Sequence, residues 1–156
     1  DIYEISVIEK LHKLAPTWGA RGNGDDGSSG REVQPEHDLL SPSWVHDFDG
    51  LKVGLTHHMP IPELPSYGVL DALDRHFDGN KLDVVVYGDT HVEHITTIDD
   101  VLCVNPGSPT FPHNLNVQLG TIGFLDIENG SAEASIWRLT EEGIEPFDWD
   151  TWGRPW

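Results

Sequence analysis

The eight residues from Val84 to His91, VVVYGDTH, constrain this chain more than any other stretch. An apolar run rich in β-branched side chains reads as a buried strand. It stops at Gly88, and a carboxylate and an imidazole, Asp89 and His91, follow with one residue between them. A buried strand thus delivers two candidate metal ligands to the loop at its C-terminal end. The rest of the chain has to cover that strand and bring partners to those two side chains.

Three dipeptides mark the hairpins that would do the covering. Asp49-Gly50 separates the strand-like runs 44–48 and 51–56, and Asn129-Gly130 separates 117–127 from 131–139. Both pairs favour the left-handed backbone of a two-residue hairpin turn. Asp99-Asp100 divides 92–98 from 101–105 in the same way. Helical patterns are fewer. Ile2, Ile5, Ile8, Leu11 and Leu14, with Val7 beside them, predict an amphipathic helix over about 3–14 that ends before Pro16. Val69, Leu70, Leu73 and Phe77 predict a second over about 66–77, closed by Gly79-Asn80. Strands outnumber helices, and an early βα half precedes a run of hairpins. That order predicts an α+β fold of two packed sheets with helices outside them. Residues 26–43, broken by Gly, Ser and Pro, read as a surface loop, and 140–156 as an acidic tail carrying Trp149, Trp152 and Trp156.

At 156 residues the expectation is one domain with a core of ordinary size. Nine Lys and Arg against 27 Asp and Glu give a formal charge of −18. Nucleic acid and anionic membranes require a cationic face, so neither is an expected partner. The excess carboxylates serve either a heavily hydrated surface or cation sites. Cys103 stands alone within VLCV; it excludes an intramolecular disulfide and reads as a small buried hydrophobe. No stretch reaches the roughly 18 apolar residues of a membrane helix and no signal peptide opens the chain, so the expected location is the cytoplasm.

Three loops follow strand-like or apolar segments and end in ligand-type residues. They carry Asn23 with Asp25, His57 with His58, and Asp89 with His91. Loops at the C-terminal ends of strands converge on one edge of a sheet. Imidazole, amide oxygen and carboxylate together suit Mn, Fe, Zn, Co or Ni rather than calcium, and the absence of thiolates argues against a structural zinc. Taken singly each residue is ordinary, since an Asn among glycines is usually a turn former. The ordered set carries the reading. His94, close to His91, joins the candidates, whereas His12, His37, His46 and His76 read as surface or structural side chains.

In order, Gly22-Asn23-Gly24-Asp25, Leu55-Thr56-His57, Gly88-Asp89-Thr90-His91 and Asn105-Pro106-Gly107-Ser108 resemble the motifs of the calcineurin-like metallophosphoesterases, in particular the small bacterial and archaeal phosphodiesterases. The resemblance covers roughly residues 1–139. It implies a four-layer α/β/β/α sandwich of two mixed β-sheets, with the first strand missing from this chain. It also implies two divalent transition metal ions, manganese first and nickel, cobalt, iron or zinc as alternatives. Carried over, Asn23, His57 and Asp89 hold one ion, His91 holds the other, and Asp1 bridges them. Asn23 and His57 are the catalytic candidates, and Asp25 orients Asn23 from behind; beside this carry-over, His58 and, by its nearness to His91, His94 are candidates to line the site in the second shell or against the substrate.

The departures from the family pattern are specific. Its opening Asp-x-His is absent, so the chain reads as a piece of a parent that carries this motif upstream, impaired by itself. Asp89 stands where the family has a histidine, His58 where it has a glycine, and Gly24 where many relatives have a histidine acid. The arginine often found after Asn-Pro-Gly-Ser appears as His113.

The reaction implied is hydrolysis of a small-molecule phosphate ester, most of all a phosphodiester, by a metal-bound water between ions roughly 3.5–4 Å apart. The alternative is a scaffold, since some proteins of this fold, a retromer subunit among them, use the sandwich to bind other proteins. Asp89, Gly24 and the tail tryptophans favour the scaffold. Asn23, His57 and His91 would have no chemical use in one. The sequence leaves homo-oligomerisation open.

Overall fold

The computed structural model describes residues 1–59, 69–112 and 119–150, with backbone alone at 70 and 72. Its elements run α1 (Ile5–His12), β1 (Gly19–Ala20), β2 (Leu40–Ser41), β3 (Ser43–Phe48), β4 (Leu51–Thr56), α2 (Val69–His76), β5 (Val84–Val86), β6 (Glu93–Ile98), β7 (Val101–Pro106), β8 (Thr121–Glu128), β9 (Ser131–Thr140) and β10 (Gly143–Pro146).

The predicted buried strand, β5, lies at the centre of a five-stranded sheet of order β3-β4-β5-β7-β6. It pairs parallel with β4 and β7, while the two outer pairs are antiparallel hairpins. Side chains alternate across a strand, so β5 needs cover on both faces. On one face, Val69 and Leu73 of α2 and Phe77 just after it pack with Val85, Tyr87, Val101 and Cys103 in one buried cluster. On the other lies a three-stranded sheet of order β10-β9-β8. There Thr121 of β8 donates its hydroxyl proton to the Glu93 carboxylate of β6 at 2.8 Å, and both side chains are buried. The protein is thus an α+β sandwich. The five-stranded sheet is mixed as expected. The second sheet, expected to be mixed, is antiparallel in its described strands, because short turns at 129–130 and 141–142 allow nothing else.

All three hairpin dipeptides adopt positive φ at both residues: Asp49 and Gly50 at 50° and 82°, Asp99 and Asp100 at 48° and 67°, Asn129 and Gly130 at 53° and 71°. Left-handed turns of this kind match the right-handed twist of the strands they join. Asp99-Asp100 forms one without glycine, because Asp tolerates this backbone better than most residues.

The first helix is shorter than its pattern. Residues 66–68 of the expected second helix lie outside the described residues. In α1 only Ile8 is buried, against Gly19 and Leu40 of the small β1–β2 pair, while Val7, Leu11 and Leu14 are exposed. A strict spacing of three explains this. Each step turns about 300° at roughly 100° per residue, so the row drifts about 60° each time and circles the helix. The expected surface loop 26–43 contains β2, and the expected tail contains β10, paired with β9. All four β10 residues are exposed, so the strand has no alternating apolar signature. Trp149 rests on Phe147 with ring centroids 4.9 Å apart; residues 151–156, with Trp152 and Trp156, lie outside the described set.

Candidate metal centre

The parallel register sets the site. Leu55 of β4 lies beside Val86 of β5, and Val86 beside Val104 of β7, so His57 and Gly88, just past their strands, meet Asn105 near the C-terminal end of β7. The Gly88 N–H donates to the His57 carbonyl at 2.8 Å and joins the two loops. Asn105 is fully buried and clamps the second loop. Its amide nitrogen donates to the Gly88 carbonyl and to Thr90 Oγ1, each at 3.1 Å, and its oxygen accepts the Gly107 N–H at 3.0 Å. Asp89 and His91 are both held at positive φ, 72° and 60°. Such backbone persists only where the surroundings fix it, as this clamp does.

Asp89 turns towards the first loop. Its Oδ1 lies 3.1 Å from His57 Nε2 and its Oδ2 lies 2.8 Å from His58 Nδ1. These contacts, the one to His57 foremost, outweigh partial burial and hold the Asp89 carboxyl at about 2, well below its ordinary 3.8. The residue is therefore a fixed anion at neutral pH.

His57 Nε2 gathers two more oxygens, Asn23 Oδ1 at 3.1 Å and Asp1 Oδ2 at 3.6 Å. The side chains of His57 and Asp1 are mostly buried, 10% and 12% exposed. Three acceptors thus converge on one nitrogen, which has at most one proton to give. A cation resolves that mismatch. Ligands of a first-row ion at bond lengths of about 2.1 Å stand roughly 3.0–3.4 Å apart, and the edges radiating from His57 are close to this. Among the described residues, no group of three or more His, Cys, Asp or Glu is already arranged to hold a metal ion. The donor set therefore reaches a full complement only with the Asn23 amide oxygen. In donor chemistry it fits one transition ion.

Two glycines make the approach of these loops feasible. A Cβ at Gly22 would run into Asp1 Oδ1 and the His57 ring, and one at Gly24 would run into the Tyr3 ring. The Gly24 N–H also donates to Asp1 Oδ1 at 2.8 Å. Asp25, fully buried, holds the whole junction. Its carboxylate accepts the N–H groups of Ile2 at 3.1 Å, Tyr3 at 2.8 Å and Gly22 at 3.3 Å, fastening the segment that carries Asp1 to the loop that carries Asn23.

The structure thus brings Asp1, Asn23, His57, His58 and Asp89 together, with Asp25 behind them. His91 leaves the same turn two residues after Asp89, its ring edge-on to Phe111 at 5.2 Å. His94, expected to border the site, is nearly buried, and its Nδ1 pairs with the Tyr87 hydroxyl at 3.0 Å in the layer under α2. Alternation along β6 turns it to that face, together with Ile98. His113 falls outside the described residues. Sequence reasoning missed Tyr3, Arg31 and Phe111. His76, read as a surface or structural side chain, has its Nε2 3.1 Å from the His58 carbonyl and braces that loop, and Phe111 is 70% exposed beside His91. Nothing local distinguishes Tyr3, Arg31 and Phe111 from surface residues.

No described helix is long and apolar enough to cross a membrane. Comparison with known proteins gives a concordant picture. The model of the calcineurin-like phosphoesterase superfamily domain matches residues 1–130. The chain is 27% identical over 135 residues to a phosphodiesterase of Methanocaldococcus jannaschii, covering 82% of this chain and 73% of that protein. Across the three curated relatives matched, it spans 51%, 58% and 73% of their lengths. Among solved structures, an archaeal phosphodiesterase superposes with a TM-score of 0.55 at 24% identity, over 87% of this chain and 78% of the other. The zinc complex of Entamoeba histolytica Vps29 does so with a TM-score of 0.51 at 15% identity, over 88% and 85%.

Proposed function

This chain belongs to the calcineurin-like phosphoesterase superfamily, and on that premise we propose that it is a phosphodiesterase acting on small-molecule phosphate esters at a dinuclear metal centre. The observation that carries the reading is the convergence of Asn23, Asp89 and Asp1 oxygens on His57 Nε2 at 3.1–3.6 Å. The name of the phosphodiesterase relative supports the same substrate class.

Asn23, His57 and Asp89 would hold one divalent ion and His91 the other, with Asp1 between them. Bound, such ions neutralise charge on phosphoryl oxygens and activate water for in-line attack. Manganese is the first candidate, because Asp89 adds an anionic oxygen where a nitrogen would favour zinc. The residues around the ions do the positioning. Asp89, ionised at neutral pH, needs no proton removed before it ligates. Asp25 and Asn105 fix the two loops, so the ligands are preorganised. His58, more than half exposed beside Asp89, would contact the substrate phosphate.

The test compares wild type with His57→Ala on bis-p-nitrophenyl phosphate in Mn²⁺, using the product of the whole gene. Turnover should fall at least a hundredfold in the variant; equal rates would sink the enzymatic reading. A scaffold reading has one observation of its own, the exposed Val7, Leu11 and Leu14 of the first helical segment, at 42%, 49% and 85% exposure. Equal rates with and without His57 would favour it.

A further inference from the structure

The centre gathers the carboxylates of Asp1 and Asp89, yet the proposed substrate is an anion, and a cationic side chain beside the metals would help to receive it. Two arginines lie near. Arg21 is spent on structure: its guanidinium donates to the carbonyls of Gln34 at 2.9 Å and Pro35 at 2.7 Å, and its side chain is 12% exposed. Arg31 differs. It is exposed, and among the described residues it forms no ion pair with a carboxylate. Its guanidinium carbon lies 4.1 Å from the centroid of the Tyr3 ring, a cation–π contact that leaves its N–H groups at the rim available for donation.

Tyr3 is held with unusual firmness for a residue 42% exposed. Its backbone sits at a φ of 58°, its N–H is bound by Asp25 at 2.8 Å, and its carbonyl accepts from Gln34 Nε2 at 2.7 Å. The ring fills the space directly over Gly24, next to the Asp1 carboxylate. A left-handed, doubly anchored tyrosine therefore carries the Arg31 guanidinium on the ring that lies over Gly24 and next to the Asp1 carboxylate.

We propose that Arg31, seated on the Tyr3 ring, binds the anionic phosphate of the substrate beside Gly24, making Arg31 a specificity-determining residue and Tyr3 its positioning residue. The inference rests on the phosphoesterase reading above. A charge-assisted hydrogen bond from guanidinium to phosphate is strong enough that its loss weakens substrate binding about tenfold or more. Because the contact is present in both ground and transition states, the loss falls on KM rather than kcat.

The experiment measures kcat and KM for bis-p-nitrophenyl phosphate with the Mn²⁺-loaded product of the whole gene, alongside thermal melts. Arg31→Met should raise KM about tenfold with kcat changed less than threefold, and Arg31→Lys should recover part of that loss. Tyr3→Phe keeps the ring face and should raise KM clearly less than Tyr3→Leu, which should behave like Arg31→Met. A lowered melting temperature with unchanged KM in Arg31→Met would reduce the pair to a loop fastener and overturn the proposal. So would a Tyr3→Phe variant as impaired as Tyr3→Leu, since the ring would then not be the positioning element. If wild type turns over nothing, the phosphoesterase reading fails, and inorganic phosphate titrated calorimetrically into the Mn²⁺-loaded protein decides the clamp. Weaker binding by Arg31→Met upholds it, and equal or absent binding by both proteins overturns it.

Discussion

Replacing Asp25 by alanine tests whether one buried carboxylate assembles the centre. The side chain is fully buried and accepts the N–H groups of Ile2, Tyr3 and Gly22. In Asp25→Ala the N–H groups of Ile2 and Tyr3, at partly exposed positions, can turn to water, and each forfeits a net of about 0.5–1.5 kcal/mol. The Gly22 N–H stays buried and bears a desolvation cost of about 1–3 kcal/mol. Together the loss is about 4 kcal/mol. For a domain of this size each kcal/mol lowers Tm by about 2–4 °C, so a drop on the order of 8–16 °C is expected. Asparagine should rescue little, because both carboxylate oxygens accept and its NH₂ would face one of the donors. With the segment unfastened, Asp1 leaves His57 and Mn²⁺ affinity should fall at least tenfold, as supporting groups around metal ligands generally show. Melts followed by circular dichroism without metal, then calorimetric Mn²⁺ titration, measure both effects. A Tm within 2 °C of wild type together with unchanged Mn²⁺ affinity would refute the reasoning.

Three further outcomes are expected. Gly22→Ala should cost about 1–3 kcal/mol by overpacking and cut Mn²⁺ affinity more than tenfold, since its methyl displaces Asp1 and His57; denaturant unfolding and calorimetry check this. Asp89→His should move the preference from Mn²⁺ towards Zn²⁺ in competitive titrations, and an unchanged ratio would count against Asp89 as a ligand. Burial pushes the Cys103 thiol up from 9.0 to about 11, so at pH 8 the thiolate fraction is about one in a thousand and a thiol reagent should label it only on unfolding. The same raised value means that the folded state holds this proton more tightly. Its contribution to stability is intact below pH 9 and is lost as pH rises from 9 towards about 11, which denaturant titrations of wild type and Cys103→Ala would reveal.

The sequence by itself determined what depends on neighbours a few residues apart. Asp49-Gly50, Asp99-Asp100 and Asn129-Gly130 favour left-handed turns, so the three hairpins were legible with nearly their observed ends, save that the strand expected over 117–127 begins at Thr121 and residues 117–118 lie outside the described set. The unbroken apolar run before Gly88 announced an interior strand, and the order of four motifs announced the superfamily. Local pattern failed where side chains carry no periodic message: β10 is exposed on both faces, and the spacing of three in α1 circles the helix.

Only the tertiary structure decided which of the candidate residues meet. His57, Gly88 and Asn105 are 31 and 17 residues apart along the chain, yet the parallel pairing of β4, β5 and β7 sets them side by side. A slip of one residue in that register would turn each side chain to the opposite face. That Asp25 grips the backbone of Ile2 and Tyr3, that Asp89 lies between two imidazoles, and that Tyr3 covers Gly24 beneath Arg31 all follow from the same juxtaposition. Such contacts are properties of surfaces brought together across the fold, and no run of neighbouring residues encodes them.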